Sequence, residues 1–201
     1  MSHFTVLVIG ENVGSQLEPF WELDLNKKEM LKDDRAEFQE QFKVEDLDKK
    51  FEEFKKEYPK ENKYSTAKDW VDNWSGDYLN KEKTAYGYYT NPNGHWDWFE
   101  IGGRWKGMIR LKDEDRDKQI LNELEDKGRK VDSALKGNIA NLSELKTYAM
   151  IENSEWIAKG EMGWFGCSND TEDEKEWEKK IAEHLNKLPD NTMLTIVDCH
   201  I

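Results

Sequence analysis

Apolar, β-branched residues crowd the two ends of this chain, and between them widely spaced aromatic rings are set among charges. Ser2 to Ile9 (SHFTVLVI) is such an apolar run, stopped by Gly10, and predicts a buried strand. Thr192 to Ile201 (TMLTIVDCHI) predicts a second one. Glu11 to Leu25 reads as a loop pinned to the core by Pro19, Phe20 and Trp21. From Lys27 to about Glu57, Phe38, Phe42, Leu47, Phe51 and Phe54 recur at spacings of three to five, a helical pattern closed by Pro59. Ser65 or Thr66 caps a short helix through Trp74, and Ser75-Gly76 stops it. Trp105 to Leu111 alternates as a strand, and Asp115 to Lys130 carries Ile120, Leu121 and Leu124 on an amphipathic helix. Thr147–Glu152 and Trp156–Ala158 read as a hairpin turning at Asn153-Ser154. Thr171, with Glu174 three residues on, forms a capping box for a helix reaching Leu188.

Strands at both ends with helices and hairpins between them imply an α+β fold with a mainly antiparallel sheet. The expected organisation is one domain over residues 1–201, with 26–80 inserted as charged helices. If the terminal strands share a sheet, a ferredoxin-like arrangement places them antiparallel at its centre. Alternation then puts His3, Thr5, Leu7 and Ile9 on one face of the first strand. Leu194, Ile196, Asp198 and His200 share a face of the last. Equal-length antiparallel strands set His3 opposite His200 or nearby, with Asp198 available to orient an imidazole.

Composition narrows the partners. The net charge of −13 excludes a general nucleic-acid binder, which needs a basic footprint. From Asn26 to Asn62 the acids interleave with lysines, which reads as helix-surface pairs rather than a DNA-like array of charge. Mean hydropathy is −0.99, yet nine Trp, eight Phe and seven Tyr supply an aromatic core that disordered chains lack. Cys167 and Cys199 do not make a disulfide framework. With neither a signal peptide nor an apolar run of transmembrane length, the expected location is the cytoplasm, with reduced thiols and no membrane contact.

The densest recognition chemistry lies in Asn91 to Gly107 (NPNGHWDWFEIGGRWKG). Trp96, Trp98 and Trp105 offer stacking faces, and Arg104 offers a planar fork for phosphate or carboxylate. Gly102 and Gly103 let the backbone approach a ligand, and Asn91 and Asn93 add polar contacts. A second glycine-aromatic turn, Gly160 to Cys167 (GEMGWFGC), adds Trp164. Together with Thr5 these form the expected ligand-binding set for a small planar anion. Asp97 and Glu100 are spaced as a carboxylate pair, a pattern common by chance.

Catalytic candidates are fewer. Two imidazoles can divide acid and base roles in phosphodiester cleavage while a hydroxyl holds the phosphate, which singles out His3 and His200. His3-Phe4-Thr5 resembles one half of the HxT signature of two-histidine phosphoesterases, but His200 is followed only by Ile201. The alternative is that both histidines are polar strand ends. Metal-ligand spacings, a phosphate-binding loop, a dinucleotide fingerprint and a serine elbow are all missing, so no metal or cofactor is expected. His184 lies in a charged helix and reads as a surface residue.

The opening MSHFTVLVIG, the central NPNGHWDWFEIGGRW, the GEMGWFG turn and the ending LPDNTMLTIVDCHI resemble an uncharacterised family encoded by phages, prophages and assorted bacteria. The likeness spans about a third of the chain, at both ends and the middle. It implies a phage-associated accessory protein acting in the host cytoplasm, a class in which host-defence antagonists are common. Three functions follow. One is capture of a small nucleotide-derived immune signal without turnover, the reading the sequence favours. Another is a two-histidine phosphodiesterase that degrades such a signal. The third is an acidic protein inhibitor of a host defence enzyme. The sequence leaves the oligomeric state open, a homo-oligomer included.

Overall fold

A computed structural model describes residues 2–23, 27–60, 63–112, 130–162 and 168–201. The helix expected from Asp115 and the turn holding Trp164 and Cys167 lie outside these residues. The fold is α+β, and the chain divides into two compact units, Met1–Trp21 with His95–Ile201, and Glu22–Gly94. Among the described residues no helix is long and apolar enough to cross a membrane.

The first unit is built on its terminal strands. β1 (His3–Ile9) and β13 (Met193–His200) pair antiparallel, from His3 opposite His200 to Ile9 opposite Leu194. On its other side β1 runs parallel to β9 (Ala149–Glu152), which turns back into β10 (Glu155–Ala158). Asn153 and Ser154, at φ 52° and 59°, make the turn. The outer side of β13 is shared by β5 (Trp98–Ile101) and β8 (Ser133–Leu135). The sheet is mainly antiparallel, as expected, and the parallel pair of β1 with β9 departs from a ferredoxin-like arrangement.

Both faces of this sheet are covered. On one, Leu7, Ile9, Leu194 and Ile196 bury against Trp177, Ile181 and Leu185 of α5 (Glu174–Lys187). On the other, Phe4, Val6, Val8, Val197 and Cys199 pack with Leu17 of α1 (Val13–Leu17), Phe20 and Trp96. Each such aliphatic side chain contributes roughly 1.5–3 kcal/mol. A one-residue slip of β1 would exchange the two sets, so the register is tightly specified. Asp173 caps α5 by accepting from Lys175 N, whereas the expected cap, Thr171, donates its hydroxyl to the Lys159 carbonyl. The stretch read as a loop after Gly10 holds α1 and a 3₁₀ turn, Glu18–Phe20. The strand expected over Trp105–Leu111 shortens to β6 (Ile109–Arg110), paired with β7 (Lys130–Val131), because Gly103–Trp105 winds into a 3₁₀ turn. β11 (Gly160–Met162) and β12 (Ser168–Asp170) form a separate ribbon.

The second unit corrects the helical reading of Lys27–Glu57. There α2 (Lys27–Met30), a 3₁₀ turn at Val44–Asp46 and α3 (Leu47–Glu57) are helical, and β2 (Glu37–Lys43) lies between α2 and that turn. β2 joins β4 (Ala85–Thr90) and β3 (Tyr78–Leu79) in the order β2-β4-β3. Residues four apart share a face in a helix and in a strand alike, so Phe38 and Phe42 fit both patterns. A bulge between Glu40 and Phe42 then sets Phe42 opposite Tyr86. Phe42 packs with Phe51, Phe54, Trp70 and Val71, around α4 (Ala67–Trp70) and the π-helical turn Val71–Ser75. Thr66 caps α4 and Gly76, at φ 72°, ends the turn, as the sequence indicates.

Candidate functional site

Strand pairing assembles a polar row at one end of the sheet. His3 sits opposite His200 and His200 opposite Trp98, so the three share one face across β1, β13 and β5. The next row holds Thr5, Asp198 and Glu100. Further along the same face the side chains are apolar, Leu7 and Ile196 first. The imidazole centroids of His3 and His200 are 5.0 Å apart with their planes at 76°. Trp98 meets both edgewise, at 6.1 Å from His3 and 6.4 Å from His200, and is 48% exposed.

Each imidazole is fixed by its own carboxylate. His3 Nδ1 lies 2.8 Å from Asp198 Oδ1, and His200 Nδ1 lies 2.6 Å from Asp97 Oδ1. A carboxylate can only accept, so in each neutral ring the proton sits on Nδ1 and Nε2 keeps its lone pair. Neither Nε2 has a hydrogen-bond partner among the described residues. The two carboxylates differ in setting: the Asp198 side chain is 2% exposed and that of Asp97 is 39% exposed. Asp97 also donates its backbone N–H to the His200 carbonyl, which seats its side chain beside the ring. Asp198 spends its second oxygen on the Arg104 N–H, at 2.9 Å.

The glycine loop explains how that N–H arrives. Gly103 adopts φ 46° and presses against Asp198, where a Cβ would lie 2.5 Å from Oδ2. Gly102, at φ 75°, presses against Asp132 in the same way, and Gly107 N donates to Asp132 Oδ1 at 2.5 Å. The expectation that this loop cradles an external anion is corrected at these amides. Those of Arg104 and Gly107 already serve internal carboxylates, and that of Gly102 donates to the Ile196 carbonyl.

The remaining expected residues separate. Trp96 is buried on the opposite face of the sheet, where its Nε1 donates to the Leu17 carbonyl. Trp96 and Trp98 do not share a face, because β5 starts only at Trp98 and the chain bends at Asp97. Trp105 is half-buried against the core of the sheet. Thr5 is buried, and its hydroxyl oxygen accepts the Tyr148 N–H. Asn91 and Asn93 belong to the second unit, where Asn91 Oδ1 accepts the Asn93 N–H in a local turn. The Arg104 side chain is exposed and makes no ion pair among the described residues. Asp97 reaches His200 while Glu100 lies in the row of Asp198, so they do not act as a pair on one group. Sequence reasoning missed Asp97 as the partner of His200, and missed Asp132 altogether. Neither lies at a telling spacing from its partner in the chain.

Other titratable groups lie elsewhere. Burial pushes the Cys199 thiol well above its usual range, and the Asp198 charge adds to this. Burial holds His95 below the ordinary histidine value, against the opposing pull of Glu161; its ring stacks 4.6 Å from Trp156. Tyr148 is pushed up to about 12 by burial, then by Asp170 and Glu161. His184 pairs with Glu152 at 2.8 Å. Among the described residues no cluster of three or more His, Cys, Asp or Glu side chains is placed to hold a metal ion. Comparison with known proteins finds no matching family model, no matching curated protein and no matching solved structure.

Proposed function

We propose that this protein is a two-histidine phosphodiesterase acting on a small nucleotide-derived signal, with a counter-defence role of the kind its phage-family resemblance suggests. One observation carries the reading: His3 and His200 face each other on one side of the sheet, each with Nδ1 held by a carboxylate and Nε2 unengaged among the described residues. That arrangement suits paired acid and base catalysis. One Nε2 takes the proton of an attacking hydroxyl or water as its oxygen bonds to phosphorus. The other, protonated, delivers its proton to the departing oxygen as that P–O bond breaks. Asp198 and Asp97 hold the rings in the required tautomer and stabilise each imidazolium as it forms, a role analogous to that of a triad aspartate. Trp98 offers a stacking surface for a base beside the reacting phosphate, and Arg104 offers a guanidinium for its oxygens.

Capture without turnover is the second reading. It is favoured by the exposure of Trp98 next to the imidazoles, since stacking alone supports binding. Incubation with cyclic dinucleotides and cyclic ADP-ribose-like compounds, followed by denaturation and mass analysis, separates the two. Linear or cleaved products support the phosphodiesterase. Intact ligand recovered from the protein supports capture and contradicts cleavage.

A further inference from the structure

The loop Gly102–Gly107 hangs from three points. Gly102 N donates to the Ile196 carbonyl at 2.9 Å, Arg104 N to Asp198 Oδ2 at 2.9 Å and Gly107 N to Asp132 Oδ1 at 2.5 Å. Between these points the loop closes on itself, with Trp105 N bonded to the Gly102 carbonyl at 2.8 Å and Lys106 N to that of Gly103 at 3.3 Å. Asp132 is itself fixed to β13, because its carbonyl accepts Ile196 N at 2.8 Å. Its carboxylate also fills the space where Gly102 lacks a side chain: a Cβ there would lie 2.5 Å from Cγ and 2.6 Å from Oδ2. Asp132 thus meets the loop at both ends, and the middle of the loop delivers a backbone N–H that holds the buried Asp198.

We propose that Asp132 is a positioning residue for His3, acting through the Gly102–Gly107 loop and Asp198. Asp198 divides its two oxygens between the Arg104 N–H and His3, so the direction of its carboxylate, and with it the plane of the imidazole, depends on where the loop puts that N–H. A loop freed at Gly107 keeps its tether at Gly102 and its internal turns but loses its anchor on the far side of Arg104. The consequence for catalysis rests on the phosphodiesterase reading; the consequence for the geometry of His3 does not.

The test combines NMR and kinetics on the full chain. In Asp132→Ala, amide-exchange protection of Gly107 and of Arg104 should fall together by about tenfold, the worth of one hydrogen bond. The side-chain ¹⁵N signals of His3 should shift while those of His184 stay in place. Asp132→Asn keeps an acceptor oxygen and should show smaller losses in the same two amides, so it decides the matter if the alanine variant does not fold. On a cleavable cyclic dinucleotide, kcat should fall by about tenfold or more with KM little changed, as expected when a reacting group is misplaced. Loss of protection at Gly107 alone, with Arg104 and the His3 ring unmoved in a folded variant, would overturn the proposal. Absence of turnover in the unmodified protein would instead contradict the phosphodiesterase reading, and the NMR result would still decide whether Asp132 positions His3.

Discussion

His3 and His200 occupy one register pair of β1 and β13, and their rings stand 5.0 Å apart. Backbone pairing of two neighbouring strands inside the sheet sets that separation. Asp198 ties His3 from the strand that carries His200, and Asp97 ties His200 from the start of β5. The carboxylates that hold the pair therefore come from two neighbouring segments.

Arg104 has two separable roles. Its backbone N–H holds Asp198, and its side chain is exposed. Arg104→Ala keeps the first and removes the second. Ligand affinity should weaken by ~1.5–3 kcal/mol, the range of a charge-assisted hydrogen bond, with the unfolding midpoint unchanged. Titration calorimetry beside thermal melting checks this. A variant that melts early while binding normally would make the side chain structural.

The terminal strands and the parity of His3, Thr5, Asp198 and His200 were legible because both runs are too apolar to be surface structure and strand alternation leaves no freedom. Asp97 was not legible as a partner of His200, since it reaches that ring only through the pairing of β5 with β13. The same contact hid the separation of Trp96 from Trp98, which a continuous strand would have aligned. Phe38 and Phe42 misled because a four-residue spacing serves both a helix and a strand. The glycines of the loop were marked for close approach to a ligand. What approaches them is the protein's own Asp198 and Asp132.

Acid sensitivity should come in part from His95. Burial lowers its folded-state proton affinity, so below the ordinary histidine value of 6.5 the unfolded chain binds the proton more readily. Stability is complete above that value and is lost as pH falls from it toward the depressed folded-state value. His95→Phe keeps a ring against Trp156 and removes the titration, so the dependence of urea unfolding on pH should flatten in that window. An unchanged slope would show that His95 does not titrate between the two states.

The β9–β10 turn carries avoidable strain. Asn153 and Ser154 both take positive φ, the geometry of a two-residue I′ turn that favours Asn-Gly. Ser154→Gly relieves a left-handed serine and should stabilise the protein by about 0.5–1 kcal/mol after the added chain entropy is deducted. Denaturant midpoints decide it, and a fall in stability would contradict the turn assignment.

Single-turnover cleavage of one nucleotide diester by His3→Ala and by His200→Ala, with affinity measured alongside, tests the central claim most directly. Each substitution should slow cleavage by about 10²–10⁴-fold, and the double variant should lose little more, because acid and base act as a unit. Affinity should stay within about tenfold, or ~1.4 kcal/mol. If cleavage persists at the unmodified rate in either variant, or if both changes alter binding alone, the paired-histidine account is contradicted.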